Sequence, residues 1–228
     1  GAPETLSLQT GTSATLAGPV GNTAPLHAFT LAASTASLNA VTTITSQTLS
    51  APSGLTLAAN LTSTGSGDIA ITGPVTLAAP VTIASAGAVG DDISVGGTVN
   101  GTHALSLNAG AGNLSLAGVI GGTTPLDALS AAAANILIDA IGAAGPGVNG
   151  LTSIVGSTSI TFTGSLYRAN GQTYAAPTKS FTSGNVRFLS TSDPISITGG
   201  TTTLAAGPLL DIQTLGADIA LDTLAGSM

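Results

Sequence analysis

The sequence predicts an all-β protein: a parallel β-solenoid (β-helix) of about nine to ten coils of 21–25 residues, with one or two side loops. Three observations predict it. A short strand phrase recurs at one-coil spacing, the apolar residues are small aliphatics, and Gly, Asn and Pro punctuate the chain like corners.

The phrase is clearest at Asp68-Ile69-Ala70-Ile71-Thr72-Gly73-Pro74-Val75. It returns as Asp92-Ile93-Ser94-Val95-Gly96-Gly97-Thr98-Val99, as Asn113-Leu114-Ser115-Leu116-Ala117-Gly118-Val119-Ile120, and as Asn135-Ile136-Leu137-Ile138-Asp139-Ala140-Ile141. The starts at 68, 92, 113 and 135 are 24, 21 and 22 residues apart. That period is too long for a hairpin meander and too short for a βαβ unit, but it suits one solenoid turn. Alternation turns Ile69/Ile71, Ile93/Val95, Leu114/Leu116 and Ile136/Ile138 inward and their neighbours outward. Between these phrases lie others, such as Thr5-Leu6-Ser7-Leu8, Val75-Thr76-Leu77 and Ala104-Leu105-Ser106-Leu107, giving two or three strands per coil. The residues that open the phrase, Asp68, Asp92, Asn113 and Asn135, are expected to stack as a structural corner ladder. The Ala-rich stretch from Leu126 to Ala134 is the most helix-like, but it aligns with Leu26 to Ser34 and reads as strand.

Composition agrees. Of 228 residues 43% are hydrophobic, yet only six are aromatic, so the core needs layers of small side chains rather than bulky anchors. Only 6% are charged and the net charge is −7, which argues against nucleic-acid binding because no basic stripe can neutralise phosphates. The absence of Cys fits an extracellular protein free of redox chemistry. No apolar run is long enough for a spanning helix, and six aromatics cannot build the girdles of a membrane barrel. No signal-peptide pattern opens the chain at Gly1, so an export signal is expected outside these residues.

A longer repeat overlies the short one. The run from Gly18 to Phe29 matches Gly118 to Leu129, Gln47-Thr48 matches Gln172-Thr173, and Ile69 to Gly73 matches Ile195 to Gly199. The chain is thus expected to be a single solenoid segment over 1–228, with repeat modules at about 5–103 and 104–228. The second module gains an extra coil or loop around 141–171. Extending the short register gives starts at 13, 35, 68, 92, 113, 135, 159, 194 and 218. Its two long intervals, after 35 and after 159, read as coils with a side loop or extra strand.

Residues 162–188 differ from the rest. They hold Phe162, Tyr167, Tyr174, Phe181 and Phe188 together with Arg168, Lys179 and Arg187, the only three cations. Aromatics beside Arg favour binding surfaces, which makes Tyr167, Arg168 and Tyr174 candidate ligand contacts. The competing and favoured reading is an inserted coil that needs its own small core.

No metal, cofactor or catalytic site is predicted. His27 and His103 lack metal-ligand spacing. The acidic doublet Asp91-Asp92 lacks the Gly-rich repeat of calcium-binding solenoids and reads as a corner. Asp68 and Asp92 have no cation near them in sequence to assist acid–base work on a glycan. Thr-x-Thr pairs at 161/163 and 201/203, of the kind seen in ice-binding solenoids, do not recur coil after coil in the sequence.

Three stretches, Gly67 to Gly73, Gly118-Val119-Ile120-Gly121 with Pro125-Leu126, and Asn170-Gly171-Gln172-Thr173-Tyr174, carry a family likeness. Through them the chain resembles the repeat regions of filamentous-haemagglutinin-like exoproteins and autotransporter passengers of bacteria. The resemblance implies a right-handed parallel β-helix forming the shaft of a large secreted or cell-surface protein. The leading expectation for function is therefore a non-catalytic structural shaft of an adhesin or filament. Its expected partners are other segments of the same protein, neighbouring protomers end to end, or a host surface or glycan, with no membrane insertion. The alternatives are a glycan- or protein-binding module using 162–188, and a β-helical carbohydrate-active enzyme.

Overall fold

The computed structural model describes residues 3–204 and 209–226. They form a parallel β-solenoid of about ten turns, without a helix among the described residues. Every strand pairing is parallel, because each strand lies against its counterpart one coil earlier and one coil later. The coil has three faces, and one inward column defines each.

On face 1 the column runs Leu6, Phe29, Gln47, Ile69, Ile93, Leu114, Ile136, Ile160, Lys179, Thr202 and Leu224. On face 2 it runs from Ala14 and Ala36 through Leu55, Val75, Val99, Ile120 and Ile141 to Tyr167, Phe188 and Ile212. Face 3 runs from Val20 and Val41 through Leu61, Ile83, Leu107, Ala131 and Ile154 to Tyr174, Ile197 and Leu221. The three columns meet in one continuous buried core. At the spacing of about 4.8 Å between neighbouring strands, ten turns make a rod roughly 50 Å long.

The short repeat read from the sequence at 68, 92, 113, 135 and 159 is face 1. Beyond those bounds the reading slips. The starts at 13 and 35 fall on face 2, and those at 194 and 218 on face 3. The two long intervals are therefore not side loops: each holds a whole coil plus two further faces. The face 1 rungs they hide are Gln47 and Lys179.

The long repeat shows the same slip. Val20 joins face 3 but its match Ile120 joins face 2; Gln47 is on face 1 but Gln172 is on face 3; Ile69 is on face 1 but Ile195 is on face 3. Each matched phrase of the second half sits one face earlier than in the first. Ile141 pairs with Tyr167, so the segment between them completes one turn.

A glycine column makes one corner. After face 1 the chain turns at Gly73, Gly97 and Gly118, and Gly73 adopts a φ of 105°. A Cβ on Gly97 would be driven into the Gly73 carbonyl, and one on Gly118 into the backbone of Gly97. Coils touch there backbone to backbone, which is why the strand phrase closes on Gly.

Candidate functional site

The corner residues before face 1 form a hydrogen-bonded ladder. The backbone N–H of Asp92 donates to Asp68 Oδ1 at 2.9 Å, and that of Asn113 to Asp92 Oδ1 at 2.7 Å. Asn113 Nδ2 also donates to Asp92 Oδ1 at 3.0 Å, and Asn135 Nδ2 to Asn113 Oδ1 at 2.9 Å. Ser159 Oγ, one coil further, donates to Asn135 Oδ1 at 2.9 Å. The carboxylates stand at the start of the run, where only acceptors are needed, and the amides follow, where each rung must both accept and donate. The buried Asp91 is tied inward: its Oδ1 accepts from Gly67 N and its Oδ2 from Ala88 N, both at 2.9 Å. Both oxygens thus brace the corner, and no group of three metal-ligating side chains exists among the described residues.

The segment 162–188 folds into the core. Phe162, Tyr167 and Tyr174 are the face 1, face 2 and face 3 residues of one coil, and Phe181 and Phe188 lie on the next. All five rings are buried. Along the axis Phe162 stacks on Phe181 at 4.6 Å and 18°, and Tyr167 on Phe188 at 4.7 Å and 16°. Across the coil Phe162 meets Tyr167 and Tyr174 edge to face, both at 5.1 Å. The coil spacing suits stacking and the triangular section suits edge-to-face contact, so both favoured aromatic geometries are met at once.

This corrects two candidate ligand contacts. Tyr167 and Tyr174 are each 0% exposed and reach no surface. Their hydroxyls are also engaged. That of Tyr167 donates to the Ile138 carbonyl at 3.2 Å and accepts from Gly164 N at 3.0 Å, and that of Tyr174 donates to Gln172 Oε1 at 3.0 Å. Burial pushes both phenols above the ordinary range; at Tyr167 the hydrogen bond from Gly164 N opposes this and the nearby Asp139 charge adds to it. Arg168, between them, is half-buried with its side chain outside, where Nη1 donates to the Ala144 carbonyl at 2.8 Å.

Three long polar side chains, Gln47, Gln172 and Lys179, are buried where the sequence reading placed no inward polar group. Gln47 Nε2 donates to the carbonyls of Thr62 at 2.9 Å and Val41 at 3.2 Å. Gln172 Nε2 donates to the Leu189 carbonyl at 2.7 Å. Lys179 is fully buried on face 1; its Nζ donates to the carbonyls of Ala176 at 2.8 Å and Thr198 at 3.0 Å, with Asp222 at 3.9 Å. Burial lowers its pKa and the Asp222 charge partly opposes that. The signal was alternation: Gln47 with Leu49, Gln172 with Tyr174, and Lys179 with Phe181 share a parity that points inward.

These features define a β-solenoid with a structural corner ladder and an aromatic core layer. The chain matches no protein-family model, no curated protein and no solved structure, so the adhesin-like resemblance rests on the chain's own phrases.

Proposed function

We propose that the chain is a stiff, non-catalytic shaft segment of a secreted or surface-anchored bacterial adhesin or filament, of the filamentous-haemagglutinin-like or autotransporter-passenger kind. The observation that supports this is the unbroken stacking of all three inward columns over about ten turns. A core of that shape resists bending because every coil is hydrogen-bonded and packed against both neighbours. The outward positions support it too: Thr82, Ser106, Ser130, Ser153, Thr173 and Ser196 make a hydroxyl row along face 3 that is soluble and chemically plain. The partners that suit such a shaft are other segments of the same long protein or neighbouring protomers stacked end to end.

Brief protease treatment of intact cells that carry the native protein tests this reading. Peptides of this chain should be released, and deletion of whole coils should shorten the protein while leaving binding by its tip intact. Recovery of the chain only from lysed cells would sink the proposal, as would loss of activity on changing one exposed polar side chain.

A further inference from the structure

A groove of about 640 Å³ lies outside face 2, at its corner toward face 3, and spans three successive coils. Arg168 and Arg187 both line it, so two of the three cations of a chain with net charge −7 share one concavity. The two guanidinium groups differ. Arg187 Nε donates to Asp211 Oδ2 at 2.9 Å and its Nη2 to Gln213 Oε1 at 3.1 Å, so its charge is met in place. Among the described residues Arg168 meets only the neutral Ala144 carbonyl, its Nε has no partner, and no carboxylate lies within ion-pair distance. A half-buried guanidinium without a counter-charge is costly to keep, and an anion from outside would relieve that cost.

The rest of the groove narrows the class of anion. Its hydroxyls already donate to the protein: Ser190 to the Asp193 carbonyl at 2.6 Å, Thr191 to Asn170 Oδ1 at 2.7 Å, Thr214 to the Ala217 carbonyl at 2.5 Å. They offer little to a second anionic group, and Asp211 repels one at the Arg187 end. The remaining wall is aliphatic. Leu189 pairs in register with Arg168, and beyond it lies Leu215, 75% exposed. The Arg168 Nη2, without a partner among the described residues, beside an apolar wall suits a carboxylate carried on a hydrocarbon body.

We infer that this groove binds an aliphatic monocarboxylate, with the carboxylate on Arg168 and the chain along Leu189 and Leu215. Calorimetric titration of the full chain with sodium octanoate, octanamide and sodium acetate tests it. Octanoate should bind at least about tenfold more tightly than octanamide, and acetate should give no saturable heat. Arg168→Gln should bring octanoate down to the octanamide level, and Leu215→Ser should weaken both eight-carbon ligands alike. The inference is overturned if octanoate does not saturate, if the parent binds octanoate and octanamide equally, or if Arg168→Gln keeps the preference. The comparison of ligands on the parent chain decides the matter even if that variant folds poorly.

Discussion

Tyr167 and Tyr174 are the only phenols in the chain, so their ionisation can be read directly. Both pKa values are raised by burial, and the sign follows: stability is unaffected below the ordinary phenol value of about 10. Above it, the unfolded chain loses protons that the folded chain retains, and stability falls. Lys179, whose pKa is lowered, contributes in the opposite direction as pH rises, so the cleaner measurement is tyrosinate absorbance. It should stay absent past the ordinary value and then appear together with loss of the β circular-dichroism signal. Early, reversible titration of either ring would contradict its burial. The inward positions can be tested as sharply. Thr152 is buried with its hydroxyl unpartnered among the described residues, so Thr152→Val should raise stability by about 1 kcal/mol in denaturant melts. Ile93→Asp should cost at least about 3 kcal/mol by burying an unpaired charge, while Ser94→Asp, one position outward, should change little.

Corners and strands make separate demands, and the corner is the stricter. Gly97→Ala forces a Cβ into the backbone of the coil below, and a cost of about 3 kcal/mol is expected. Gly11→Ala meets nothing within 4 Å among the described residues and should be nearly neutral. Equal melting temperatures for the two variants would refute the backbone-to-backbone corner. The strands were legible in sequence because alternation between turn residues is a local property: the phrases from 68 to 138 fall on face 1 in the register read from them. Which face a phrase occupies was not legible. All three faces bury aliphatics at the same spacing, so Ile69-Ala70-Ile71-Thr72 and Ile195-Ser196-Ile197-Thr198 read alike on faces 1 and 3. The tyrosines were hidden for a related reason. Tyr167 and Ala169 point inward, as do Gln172 and Tyr174, so parity switches where Gly171 takes the chain from face 2 to face 3. A strand that rounds a corner without a break, as Leu166–Ala175 does, defeats simple alternation.

At the scale of the whole molecule, the interchangeable faces let a phrase serve on any face, provided its inward residues stay inward. The second half of the chain already illustrates this: its phrases sit one face earlier than their matches, yet all three columns continue without a gap. Stability in such an array is a sum of coil terms and nearest-neighbour interfaces, so removing a full turn removes one of each. Ile93 and Leu114 are successive rungs of face 1. Deleting residues 93–113 therefore sets Leu114 on Ile69 and leaves Asp92 beside Asn135 in the corner ladder. The deleted chain should fold cooperatively, melt slightly lower, and be shorter by about 4.8 Å in small-angle scattering. Deleting residues 93–103 instead sets Ala104 on Ile69 and Leu105 on the outward Ala70, which turns the inward aliphatics of that phrase out of the core. The Gly column would lose its register, and the aromatic layer at 162–188 would no longer sit over a matched section. That variant should show weak β signal and aggregate through its mispaired edges. If both deletions fold equally well, the columns do not govern the fold; if both fail, stability is not a sum over coils.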